Sequence, residues 1–290
     1  MIYDVRQVTT YHYASAVAHA RHVLRLTPID RARQRVHATA LDIDPLPAER
    51  REGQDFFGNR ITWILLDRPH DQLTVRLAVR IVVEPVTPIV GPTPPWEEVR
   101  EAAYTGSDFS ARAPAHFLFP SRQISLDPEI RAYCAESFPS GRAILESAIE
   151  LMNRIKADFV YDVGATTAST TPPMSFALRR GVCQDFTHVM ISGLRSLGLP
   201  AAYVSGYLRT QKPGQVRLAG SDAMHAWVLV WCGQETGWVG LDPTNAILAG
   251  DDHVVLAIGR DYADVSPLDG VIIAAGAQRL VVSVQVRPVS

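Results

Sequence analysis

Strict two-residue alternation marks the early part of the chain. Leu73, Val75, Leu77, Val79, Ile81 and Val83 fall on one side, and Thr74, Arg76, Ala78, Arg80 and Val82 on the other. A period of two with one apolar face predicts a half-buried strand. Residues 2–13, 36–43 and 60–66 are also rich in Val, Ile, Thr and Tyr and read as strands. Turn chemistry separates them at Asp44-Pro45-Leu46-Pro47 and at Asp55-Phe56-Phe57-Gly58-Asn59. Residues 1–90 therefore predict an antiparallel, sandwich-like β-domain, with the Asp55 to Asn59 stretch as a hairpin turn rather than a binding loop.

The pattern then changes. Pro85, Pro88, Pro92, Pro94 and Pro95 make a stiff, extended connection. Residues 91–125 read as a linker with a short helix at 96–104, packed on the surface through Phe117, Leu118 and Phe119. From Asp127 the chain turns helical, and Ile144, Leu145, Ala148, Leu151, Met152 and Ile155 recur at helical spacing, which predicts a helix over 143–157. A short strand is expected at 159–161, a Ser/Thr/Pro loop at 166–173 and a short helix at 174–179. Strands follow at 201–208, 224–231, 237–242, 254–258 and 280–286, with a polar loop over 209–222. The whole reads as α+β: the β-domain, the linker, a core over 126–260, and C-terminal strands over 261–290 that close a sheet.

Residues 183–197 form the most sharply sorted helix, ended by Gly198 and Pro200. At about 100° per residue, Phe186, Val189, Met190, Gly193, Leu194 and Leu197 make an apolar arc; Asp185, His188, Ser192 and Arg195 make a polar stripe opposite. Cys183 lies on the apolar side in the first turn. Unpaired N–H groups and the helix dipole there favour a thiolate, which is the nucleophilic form. The plainer reading of Cys183 is a small core residue.

Composition narrows the classes without choosing among them. The chain has 290 residues, 47% hydrophobic and 20% charged, with a formal charge of −2. That balance suggests neither a nucleic-acid partner nor a membrane surface. Three cysteines, Cys134, Cys183 and Cys232, make an odd set far apart in sequence. A disulfide framework is not expected, and a reducing cytoplasm is. The histidines include no His-x-x-x-His pair, and no calcium-loop pattern is present. No metal or cofactor is expected.

His225 lies near the start of one predicted strand and Asp242 near the end of the next. In an antiparallel hairpin these positions are neighbours, and a helix end packed over them brings Cys183 to the imidazole. Cys183, His225 and Asp242 are then the catalytic candidates of a thiol acyl-transfer enzyme: nucleophile, proton carrier and tautomer-fixing carboxylate. Singly, a strand His and an Asp before Pro are ordinary structural residues. Their joint occurrence carries the reading. Asp185 and His188, three apart, are expected to hold the helix against a neighbouring loop. Gln184, about 100° round the helix from Cys183, is a weak candidate for an oxyanion donor. Trp227, Trp231 and Trp238 default to core packing, and Cys134 and Cys232 to inert thiols.

Gly181-Val182-Cys183-Gln184-Asp185, Tyr203-Val204-Ser205-Gly206-Tyr207, His225-Ala226-Trp227 and Asp242-Pro243-Thr244-Asn245 resemble the transglutaminase-like superfamily. Tyr11-His12-Tyr13, Leu26-Thr27-Pro28, Phe57-Gly58-Asn59 and the stretch from Gly259 to Pro267 resemble the flanking regions of its bacterial branch. The resemblance implies a papain-like core with Cys183, His225 and Asp242 as the triad. It further implies a thioester formed from a protein or peptide amide substrate. An amine resolving that thioester gives a transglutaminase, and water a cysteine peptidase or amidase. A binding or scaffold protein that keeps the fold without turnover is the alternative of another class.

Overall fold

The computed structural model describes residues 1–209, 218–220, 223–274 and 276–289. Of the polar loop expected over 209–222, residues 210–217 and 221–222 lie outside the described set. The N-terminal strands are β1 (Ile2–Val17), β2 (His19–Leu24), β3 (Gln34–Asp44), β4 (Glu49–Gln54), β5 (Arg60–Leu66) and β6 (His70–Val83). The core follows with α1 (Trp96–Thr105), a 3₁₀ turn (Pro114–Phe117), α2 (Pro128–Ala135), α3 (Ile144–Asp158), β7 (Val160–Tyr161), α4 (Pro172–Leu178), β8 (Arg180–Gly181) and α5 (Cys183–Ser196). Then come β9 (Ala201–Leu208), β10 (His225–Trp231), β11 (Trp238–Asp242), β12 (Ile247–Leu248), β13 (His253–Gly259), α6 (Tyr262–Val265), β14 (Leu268–Ile273) and β15 (Gln278–Val289).

The N-terminal domain is two antiparallel four-stranded sheets, ordered β15-β1-β6-β3 and β14-β2-β5-β4. Their inner faces share one core. Leu73, Val75, Leu77, Val79, Ile81 and Val83 of β6 meet Leu24, Ile64 and Leu66 of the other sheet. Each such burial contributes roughly 1.5–3 kcal/mol relative to exposure, so the alternation fixes the register of β6. The C-terminal strands complete these sheets rather than the sheet of the core: β14 pairs with β2 and β15 with β1. Strands β2 and β4 went unexpected. Glu49, Arg50, Arg51 and Glu52 of β4 are all exposed at a sheet edge, where charge discourages further pairing. The Asp55 to Asn59 stretch is the expected hairpin turn between β4 and β5, with Gly58 at φ 76°.

The core sheet runs β12-β11-β10-β9-β13, with every pair antiparallel. Helix α5 lies between this sheet and helices α2, α3 and α4. Ala226, Val228 and Val230 of β10 pack in one cluster with Phe186, Met190 and Leu194 of α5. On the helical side α2 comes very close: a Cβ on Gly193 would fall 1.9 Å from Cys134 Sγ. Because α5 is enclosed on all sides, its polar stripe is buried too. Asp185, His188, Ser192 and Arg195 are each at most 2% exposed. Single-helix periodicity finds two faces but not what lies over the polar one.

Strand β13 is the open edge of the core sheet, and the β-domain covers it with two side-chain amides. Gln34 donates to Val255 O and accepts from Val255 N, both at 2.8 Å. Asn59 donates to Ile258 O at 2.7 Å and accepts from Ile258 N at 2.8 Å. These contacts satisfy backbone groups that would otherwise template another strand.

Candidate functional site

Cys183 begins α5 directly after the short parallel pairing of β7 with β8. Gly181 permits the entry: a Cβ there would lie 2.4 Å from Asp185 Oδ2. That oxygen accepts from Val182 N–H at 2.8 Å and from Thr166 Oγ1 at 2.6 Å, so Asp185 caps the helix and ties the loop around Thr166 to it. Burial raises the Asp185 carboxyl, opposed by these two donors. His188 uses Nε2 to accept from Tyr262 N–H at 3.2 Å, and burial pushes its ring down to about 4. Each residue thus holds the helix to a different neighbour instead of pairing with the other. Gln184 donates to Ala168 O at 3.1 Å, which commits its amide to the same loop as Thr166.

The thiol of Cys183 reaches Met224 O, next to His225, at 4.0 Å. His225 and Asp242 lie beyond the last paired residues of the β10–β11 ladder, which runs from Trp231↔Trp238 to Val228↔Leu241. Their side chains meet there, with His225 Nε2 2.8 Å from Asp242 Oδ2 and both fully buried. Asp242 is ringed by donors. Oδ1 accepts from the N–H of Thr244 and of Asn245, at 3.0 and 3.2 Å. Oδ2 also accepts from Asn245 Nδ2 at 2.8 Å. Burial alone would raise this carboxyl; the charge and hydrogen bond of His225, then those of His253, hold it well below the carboxylate range.

For His225 the balance is reversed. Burial pushes the ring down, but the charge and hydrogen bond of Asp242, with a further contribution from the Cys183 thiol, raise it to about 10. With Nε2 engaged by Asp242, Nδ1 is buried without a hydrogen bond of ordinary geometry. Gly220 passes over that nitrogen, since a Cβ on it would stand 2.5 Å away. Asn245 pins this segment by accepting from Ala219 N–H at 3.0 Å. Around the thiol, burial raises Tyr161, to about 12, and Tyr203 and Tyr262, with smaller electrostatic contributions from the neighbouring Cys183 and, for Tyr262, an opposing hydrogen bond with Ser266.

Sequence reasoning missed His253. It opens β13, and its Nε2 lies 3.5 Å from the same Asp242 oxygen. The ligand atoms of His225, Asp242 and His253 lie within 4.8 Å of one another, a spacing that also suits a cation. At 2.8 Å, however, the His225–Asp242 contact is a charge-assisted hydrogen bond that already uses both atoms. Trp227 is 1% exposed and Trp231 7%, both in the core as expected, whereas Trp238 is only partly buried, its Nε1–H donating to Arg112 O at 3.3 Å. Cys134 and Cys232 are buried thiols, each pushed up to about 12 by desolvation. No helix among the described residues is long and apolar enough to cross a membrane.

Residues 3–82 match the bacterial transglutaminase-like N-terminal region, and residues 132–243 the transglutaminase-like superfamily. An uncharacterised protein of Mycobacterium tuberculosis is 39% identical over 295 residues, covering 99% of this chain and 92% of its own length. One from Mycobacterium leprae is 30% identical over 279 residues, covering 96% and 95%. Among solved structures, a candidate cysteine protease from Cytophaga hutchinsonii is similar at a TM-score of 0.77 and 19% identity, over 99% of this chain and 90% of that one.

Proposed function

The chain belongs to the transglutaminase-like superfamily, and from that premise we propose that it is a thiol enzyme acting by acyl transfer on an amide of a protein or peptide. One observation carries the reading: a buried imidazole holds a carboxylate at 2.8 Å through Nε2, and the Cys183 sulfur lies 4.0 Å from the carbonyl of the adjacent Met224. Nε2–H donates to Asp242, which leaves the Nδ1 lone pair to take the thiol proton. The Cys183 sulfur adds to the amide carbonyl, and the backbone N–H of Cys183 at the helix N-terminus faces the developing oxyanion. As the tetrahedral species collapses, the C–N bond breaks and His225 returns the proton to the departing amine. A thioester remains. A second amine, deprotonated by His225, resolves it in the transglutaminase reaction; water in the same position makes the enzyme a peptidase or amidase. Nδ1 has no hydrogen-bond partner, which suits a free enzyme whose catalytic hydrogen bonds form or tighten when substrate binds.

The test is competitive alkylation with iodoacetamide, read by peptide mass spectrometry. Cys134 and Cys232 are internal controls because burial keeps both as thiols. Cys183 is expected to label far faster than either at neutral pH, and intact protein exposed to cell lysate to carry an acyl adduct that Cys183→Ala lacks. Equal, slow labelling of all three, rising only near the ~8.5 of a free thiol, removes the activated nucleophile. Unchanged binding partners for Cys183→Ala, with no adduct on the wild type, point to a scaffold.

A further inference from the structure

Asp242 Oδ2 faces two histidines, not one. His225 is hydrogen-bonded to it at 2.8 Å, and His253 Nε2 stands at 3.5 Å without a hydrogen bond of ordinary geometry. The two rings are 6.4 Å apart, and both lie against Trp227, at 6.2 and 5.0 Å. They differ in what holds the other nitrogen. His253 Nδ1 accepts from Gly250 N–H at 3.2 Å, so it carries no proton, and the ring hydrogen sits on Nε2, toward Asp242. A second imidazolium at the same carboxylate would need a proton on Nδ1, directed at the Gly250 N–H.

We propose that His253 is a positioning residue of this site, a fixed neutral ring whose Nε2–H edge faces Asp242 Oδ2 at 3.5 Å without an ordinary hydrogen bond and steadies the carboxylate electrostatically, while leaving the exchangeable proton to His225. This rests on the acyl-transfer reading of Cys183, His225 and Asp242. The charged and titratable surroundings agree with it. His225 feels Cys183, Asp242 and His253. His253 feels Asp242, His225 and Asp252, and shares a cavity of about 230 Å³ with Arg31 and Arg33 of the β-domain. Burial and the neighbouring His225 both lower the His253 ring, and Asp242 only partly opposes them. His253 is placed by β13, whose free edge is held by Gln34 and Asn59. The β-domain thereby supports the catalytic carboxylate through one intermediate strand.

Two variants separate donation from bulk. His253→Gln keeps an N–H donor at the reach of Nε2. His253→Asn reaches only as far as Nδ1, so it keeps the Gly250 contact and loses the donor. With iodoacetamide near neutral pH, His253→Gln is expected to label Cys183 close to the wild-type rate, and His253→Asn about tenfold more slowly, the scale for losing an outer polar neighbour that orients a site. Long-range proton–nitrogen correlation of the histidine rings in the wild-type protein gives a readout that needs no variant. It is expected to find His253 neutral with its proton on Nε2 and His225 as the imidazolium. A proton on Nδ1 of His253, equal labelling of the two variants, or one equivalent of zinc that is present in the wild type and absent from His253→Asn overturns the proposal. Failure of the parent reading is distinguishable: Cys183 would then label no faster than Cys134 in the wild type, whatever the tautomer of His253.

Discussion

Replacing Asp242 by Asn is the most informative single change. The side chain keeps its size but loses its charge, and it gains two N–H groups where only acceptors are wanted. Oδ1 serves two backbone N–H groups and Oδ2 faces His225, Asn245 and His253. Any rotamer of the amide therefore sets an NH₂ against at least two donors. If the amide oxygen stays with the backbone pair, the NH₂ faces Nε2–H of His225. The ring relieves that clash by moving its proton to Nδ1, which then offers the thiol a donor instead of a base. The magnitude follows by two routes. Opposite charges at the 2.8 Å of the His225–Asp242 contact attract by ~6 kcal/mol at an effective dielectric of about 20, or about four decades. The His225 ring, held at about 10 against an ordinary 6.5 despite burial, by Asp242 first and Cys183 second, shows an effect of the same order. The assay is Cys183 alkylation at about pH 6, with Cys134 and Cys232 as references, on protein shown to be folded by circular dichroism. A loss of at least about a hundredfold is expected, with labelling recovering only toward the ~8.5 of a free thiol. Folded Asp242→Asn that labels Cys183 as fast as wild type refutes the reasoning, because the carboxylate would then contribute nothing to the thiol.

Three further outcomes follow from other contacts. Gly181→Ala forces a methyl to within 2.4 Å of Asp185 Oδ2, so a loss of ~1–3 kcal/mol in urea unfolding is expected, with slower Cys183 labelling as the helix start shifts. Arg195→Met removes the donors that reach Ala201 O, Phe119 O, Ser121 Oγ and Arg260 O at 2.6 to 3.2 Å; the buried carbonyls left unpaired predict a loss of about 3–5 kcal/mol in the same measurement. The His225–Asp242 pair makes stability depend on pH in a set direction. The depressed Asp242 contributes above the unfolded carboxylate value and loses this only in strong acid, whereas the raised His225 contributes fully below 6.5 and loses it as pH climbs through about 10. The melting-temperature gap between wild type and His225→Gln is therefore expected to be widest in mild acid and to shrink from about neutral pH to about 10; a gap that widens instead contradicts the ion pair.

The sequence was most legible where one local pattern decides the outcome. Alternation along β6 named its buried face, since a slip of one residue would expose all six apolar side chains. The hairpin logic that set His225 beside Asp242 needed only antiparallel pairing and a short connection, and both are local. The strands β14 and β15 were harder to assign, because their partners lie some 250 residues away in sequence and nothing in a strand names a distant partner. Strand β4 carries no apolar signal at all. His253 was invisible for a related reason. A histidine between Asp252 and Val254 reads as an ordinary strand start, and only the fold of β13 over β9 brings it to Asp242.

The buried polar stripe of α5 has a common logic with these misses. Apolar packing fixes the depth of a helix well but its rotation and axial position weakly, because one ridge fits several grooves. Hydrogen bonds do not slide in this way. Asp185 binds the loop at Thr166, Ser192 donates to Ser125 O, His188 accepts from Tyr262, and Arg195 joins the linker to β9 and to the turn before α6. Four polar groups thus tie one helix to four separate parts of the chain, each at hydrogen-bond distance. Burying them costs more than an apolar stripe would, so they are poorly explained by stability alone. They fit the proposed thiol reading, in which one sulfur atom is held in register with an imidazole that arrives on a different element and a displacement of about 1 Å would weaken the chemistry a hundredfold.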